Sequence, residues 1–177
     1  MPRLSLTPSV PLEDQSRRFS QSLVPSEADT KTLKWAQMAA KYSDTHLRNH
    51  VWDFVDNEFL PHYSFRPITR IAEVWTEWTV GIDGYLSVRQ LDEGWGARWR
   101  RNVGAKKTEY GRRKKIIDLI LWLVANKPRW DADLALRFLT DQFQPRFKSA
   151  RSFSDFLTPD NGPGYTEVRN AAITYNL

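Results

Sequence analysis

Ile116, Ile117, Ile120, Leu123 and Val124 fall on a single stripe when the chain is wound at 100° per residue, and Pro128 closes the run. This spacing predicts a long amphipathic helix from about Glu109 to Asn126, which needs other elements packed along its apolar side. The flanking segments supply candidates. Ile71, Val74, Trp75 and Trp78 share one face of a helix that ends at Gly81, and Ser87 with Gln90 has the form of a capping box opening a short helix through Val88 and Leu91. Gly94 and Gly96 stop that helix. Beyond Pro128, Asp131 is placed to cap another, with Leu134, Phe138, Leu139 and Phe143 on one side.

Upstream, Leu33, Ala36, Ala40, Leu47, Val51, Phe54, Val55 and Phe59 recur at three- and four-residue steps, with Ser43 and Asp44 as a break and N-cap. Two helices are expected there. No segment reads as a strand, so the expected fold class is all-α: a compact bundle of short helices containing a helix-turn-helix-like DNA-binding unit. The expected organisation is a disordered Ser/Thr/Pro-rich tail over 1–28, a helical extension over 29–66, a DNA-binding domain over 67–145, and a loop-rich C-terminal segment over 146–177. In that last segment Asn161-Gly162-Pro163-Gly164 reads as a loop.

Charge is distributed unevenly. The chain carries 26 Lys/Arg and 21 Asp/Glu, but residues 98–115 alone hold nine cations against one acid. The rest is neutral or slightly acidic, so the excess is a patch, and a clustered cationic patch points to a polyanion as partner. Arg112 to Lys115 add a second signal. In a helix starting at Glu109 they lie in the first two turns, where the dipole disfavours positive charge by roughly 0.3–1 kcal/mol per exposed residue. Phosphates facing that end would explain them. The expected DNA-binding residues are therefore Arg98, Arg100, Arg101, Lys106, Lys107, Tyr110, Arg112, Arg113, Lys114 and Lys115. Of these, Arg113 projects toward the apolar stripe, where it can pack or pair.

Other chemistries find little support. The absence of cysteine closes the zinc-finger and zinc-cluster routes to DNA. His46 and His50 have the spacing of a metal pair, but nothing completes a site. Neither metal nor cofactor is expected. There is no nucleophile with a base, no glycine-rich phosphate loop and no paired-carboxylate site, and Glu73 and Glu77 read as an exposed helix flank. The longest apolar run, Ile116 to Ala125, is too short to span a bilayer and is broken by Asp118. Trp75 and Trp78 read as core, and Trp95 and Trp99 as core or edge. If exposed, the latter two could stack on unpaired bases, which keeps single-stranded or RNA binding as a further alternative.

The run Val74-Trp75-Thr76-Glu77-Trp78-Thr79-Val80-Gly81, followed by Gly84, Ser87, Leu91, Trp95-Gly96, Trp99-Arg100, Tyr110 and Arg112-Arg113-Lys114, resembles the C-terminal DNA-binding domain of the fungal transcription activators of glycolytic genes. Fungal osmotic-stress and pseudohyphal-growth regulators and crypton-type recombinases carry the same domain. The resemblance spans about Pro67 to Phe143. It implies sequence-specific double-stranded DNA binding in a nucleus and a role in transcription regulation, with transcription cofactors as further partners. It places Trp75, Glu77, Trp78, Trp95 and Trp99 in the scaffold, and Trp99, Arg100, Tyr110, Arg112, Arg113 and Lys114 in the basic motif. Alternatives are a protein-interaction module that docks its basic face on an acidic partner, or the DNA-binding fragment of a mobile-element recombinase. The sequence leaves the oligomeric state open.

Overall fold

The computed structural model describes residues 26–101, 104–158 and 162–175. Most of the expected disordered tail lies outside these residues. Ser26 already belongs to structure, since it caps α1 (Glu27–Lys41) through a reciprocal bond with Asp29, and Glu27 and Asp29 place acids in the first turn where the dipole favours them. None of the residues of α1 is fully buried; it leans on the rest through Trp35, which meets Phe59 edge-on at 4.9 Å.

The second expected helix of this region is absent. A single turn, α2 (Asp44–Leu47), leads into an antiparallel hairpin, β1 (His50–Asp53) with β2 (Glu58–Pro61), in which His50 faces Pro61 and Trp52 faces Phe59. The all-α expectation is thus corrected to a mostly helical chain with a small two-stranded sheet. Two local choices favour the hairpin. The Asp53 carboxylate accepts the Val55 N–H at 2.8 Å, and Asn57 takes the left-handed conformation (φ 48°) that asparagine tolerates best among non-glycine residues. Trp52 and Phe59 then pack ring to ring across the strands at 5.0 Å. The apparent helical spacing of Val51, Phe54 and Val55 is accidental, for all three are exposed.

After the hairpin come α3 (Ile71–Thr79), α4 (Val88–Trp95), a 3-10 turn (Arg98–Arg100), α5 (Gly104–Asn126) and α6 (Ala132–Gln142). The Ser87–Gln90 capping box and the Asp131 cap form as the sequence predicts. Gly81 reverses the chain between α3 and α4 with φ 89°, and a Cβ there would collide with the Tyr85 carbonyl, so only glycine fits. A second 3-10 turn (Gln144–Arg146), α7 (Ala150–Phe156) and α8 (Pro163–Thr174) complete the chain. The expectation of a loop-rich C-terminal segment is therefore overturned. Ser149 and Ser152 cap α7 reciprocally, Pro163 starts α8, and Phe153, Leu157, Tyr165, Val168 and Ala172 are buried in the main core.

That core is organised by α5, whose Ile116, Ile117, Leu119, Ile120 and Leu123 are at most 1% exposed. A smaller, aromatic core holds Tyr63, Leu86, Val88, Leu91, Trp95 and Trp99. Trp78 on α3 packs against both. Trp75 and Trp78 are only partly buried, while the innermost positions of α3 are Ile71, Val74 and, unexpectedly, Glu77.

Candidate nucleic-acid interface

Helix α5 begins at Gly104, five residues before the expected start. Arg112 to Lys115 consequently lie in its third and fourth turns, beyond the reach of the terminal dipole, so a cation-loaded helix start does not describe them. Lys106 and Lys107 occupy the first turn instead. Lys107 is exposed; Lys106 is half-buried, and burial holds its ammonium below the usual lysine range.

Asp92 on α4 gathers the elements of the basic motif. Its carboxylate accepts from Trp99 Nε1 (2.9 Å), from an Arg100 guanidinium nitrogen (2.6 Å) and from the Tyr110 hydroxyl (2.6 Å). The Arg100 guanidinium lies over the Tyr110 ring, 3.8 Å from its centroid. Burial, reinforced by the neighbouring Asp92 carboxylate, pushes the Tyr110 hydroxyl well above the ordinary tyrosine range, so it remains a donor. Four residues from three elements, Asp92 of α4, Trp99 and Arg100 of the 3-10 turn and Tyr110 of α5, are thereby locked into one geometry. Nothing in the sequence marked Asp92, whose partners lie seven, eight and eighteen positions away.

Arg113 has a different setting. It is 8% exposed and reaches inward from α5 to Glu77 (2.5 Å), Glu109 (2.8 Å) and the Arg66 carbonyl (2.6 Å), with its guanidinium 4.4 Å from the Phe65 ring centroid. Glu77 also accepts from the Tyr63 hydroxyl at 2.8 Å and is fully buried, which corrects its reading as an exposed flank. Burial lifts the Glu77 carboxyl above the usual range, against the downward pull of Arg113 and Tyr63. For Glu109, burial also acts upward, but the hydrogen bonds from Arg113 and Arg112 outweigh it and hold the carboxyl below its ordinary value.

Other cations of the stretch meet partners both near and far along the chain. Arg98 pairs with Glu58 and Arg101 with Asp56, both in the hairpin; Arg112 pairs with Glu109 (2.6 Å) and approaches Asp155 (3.7 Å); Lys114 pairs with Asp118; and Lys115 donates to Thr158 (2.6 Å). Arg98 and Arg101 nevertheless keep about two-fifths of their side-chain surface open. Trp95 and Trp99 are buried, and Trp95 Nε1 donates to the Phe59 carbonyl at 2.9 Å, so neither offers a stacking platform for unpaired bases. Among the described residues no group of three or more His, Asp or Glu is placed to hold a metal, and no helix is long and apolar enough to cross a membrane.

Residues 65–142, less than half of the chain, match the family described as transcriptional activator of glycolytic enzymes. The resemblance carried by the tryptophan and basic motifs is thus borne out over this stretch, which includes α3 to α6, the Asp92 cluster and, apart from Tyr63, the Glu77 cluster. Among curated relatives, the high-osmolarity-induced transcription protein 1 of Kluyveromyces lactis is 47% identical over 51 residues, 29% of this chain. The matched stretch spans only 7% of that relative's length. No solved structure matches.

Proposed function

We propose that this chain is a non-enzymatic transcription regulator that binds double-stranded DNA sequence-specifically in the nucleus, with transcription cofactors as further partners. The observation that carries the reading is the Asp92 cluster, which fixes Arg100 on the Tyr110 ring inside the family-matched stretch. An arginine held in this way loses little freedom when it grips a phosphate or a guanine edge, and that distinguishes a recognition residue from a solvated charge. Helix α4, the 3-10 turn and α5 serve as the helix-turn-helix-like unit. Arg98, Arg100, Arg101, Lys106, Lys107, Arg112, Lys114 and Lys115 are the contacts to DNA, and Tyr110 holds Arg100 in place. Arg113 serves the interior.

Selection from random duplex oligonucleotides tests the reading: one short motif is expected to be enriched, and its binding should weaken steeply with salt. If about six phosphates are engaged, the slope of log affinity against log salt is near −5. Enrichment of no motif, together with a slope near zero, would refute it and favour a protein-interaction module docking on an acidic partner.

A further inference from the structure

A cleft of about 280 Å³ opens beside this region, between the 65–69 loop, α5 and the start of α7. Its floor is hydrocarbon: Ile68, Val74, Ile116 and Ala150 line it, all of them buried side chains of the main core. Its lining also holds Arg66, Arg112, Arg113 and Arg151 against the single acid Glu109. The Arg113 guanidinium is saturated by Glu77, Glu109 and the Arg66 carbonyl. Among the described residues Arg66 makes only a long ion pair, to Asp83 at 3.5 Å, and Arg151 is exposed.

We propose that this cleft takes one bulky apolar side chain of an acidic peptide segment belonging to a partner protein, with Arg66 and Arg151 receiving the flanking carboxylates. Size supports this, because the cleft lies just under the roughly 300–1,000 Å³ of small-molecule and cofactor sites and suits a single side chain. Chemistry excludes the nearest alternatives. The only apolar group a duplex presents in its grooves is the thymine methyl, too small to fill a hydrocarbon floor of this size. The first 25 residues of this chain bear three arginines against two acids, the wrong sign for an arginine rim. Segments in which acids alternate with bulky apolar residues have both required features.

The test uses the full chain and a fluorescein-labelled peptide of aspartates around one central phenylalanine. Saturable binding is expected, accompanied by shifts of the Ile68, Val74 and Ile116 methyl resonances, and replacing the phenylalanine by alanine is expected to weaken it at least about tenfold. Thr69, exposed at the rim and with its backbone alone engaged, allows the cleft to be plugged without disturbing the core. Thr69→Trp is expected to abolish binding with unchanged melting, and Arg151→Glu to weaken it about fivefold. Absence of binding, equal binding of the alanine peptide, unmoved methyl resonances or undiminished binding to folded Thr69→Trp would each overturn the proposal. So would a short duplex that moves the same methyl groups and loses this effect in Thr69→Trp. Motif selection on duplex DNA is scored separately, so either reading can fail alone.

Discussion

Replacing Arg113 with methionine keeps an unbranched stem beneath Phe65 but removes the charge that neutralises Glu77. The carboxylate then remains fully buried with the Tyr63 hydroxyl as its hydrogen-bond donor. Breaking a buried pair in this way costs about 3–5 kcal/mol. For a chain of this length, 1 kcal/mol shifts the midpoint by about 2–4 °C, so Arg113→Met is expected to lower Tm by roughly 6–20 °C in calorimetry. The penalty also depends on pH. Glu77 already has its carboxyl raised above the unfolded value, and losing Arg113 raises it further. The folded state then binds the extra proton, so stability falls as pH rises from the unfolded glutamate value, about 4.3, through the folded one. The difference between variant and wild type is therefore larger at pH 8 than at pH 5. Adding Glu77→Gln keeps an acceptor for Tyr63 and removes the stranded charge, so the double variant is expected to recover much of the loss. A cost below 1 kcal/mol, or a double variant no more stable than Arg113→Met, would refute this account of Arg113 as an interior residue.

Arg100→Ala leaves Asp92 satisfied by Trp99 and Tyr110, so it is expected to weaken motif binding about tenfold while shifting Tm by no more than about 3 °C; filter binding and calorimetry on one preparation would show it. Trp99→Ala removes a buried ring packed against Tyr63, Phe65 and Tyr110 and is expected to cost about 3–5 kcal/mol in urea unfolding, whereas the half-buried Trp75→Ala costs clearly less. Glu109 is held below its ordinary value, so it adds stability above the unfolded glutamate value that disappears as pH falls through its folded one. Glu109→Gln is thus expected to flatten the acid limb of a stability–pH profile, and an unchanged limb would contradict that assignment.

The sequence displayed what is local and concealed what is distant. Caps at Ser87 and Asp131, the turn at Gly81 and the stripe on α5 depend on neighbours within four residues, and all could be read directly. The hairpin could not, because its apolar residues happen to fall at helical intervals while the deciding signals are a carboxylate cap at Asp53 and a left-handed Asn57. The helices α7 and α8 escaped for another reason: they gain their stability by inserting Phe153, Leu157, Tyr165 and Val168 into a core built elsewhere. Within the candidate interface the cations were conspicuous, but their partners Glu77 and Asp92 were not. A run of like charges is visible along a chain, whereas the acids that answer it arrive only through folding.

Those acids have a consequence for recognition. Asp56, Glu58, Glu77, Asp92 and Asp155 reach the basic stretch from five other elements or loops, and with Glu109 and Asp118 of α5 they set seven carboxylates beside its nine cations. The free protein thus brings its own counterions, attached to the chain and unable to diffuse away. A duplex that takes Arg98 or Arg101 must first evict Glu58 or Asp56 from the hairpin, and the evicted acid stays nearby to retake the arginine. Indiscriminate phosphate is a poor competitor under these terms, while a site that also satisfies base-reading groups can hold the arginines. Glu58→Gln is accordingly expected to strengthen binding to unrelated duplex more than binding to the selected motif, trading discrimination for grip.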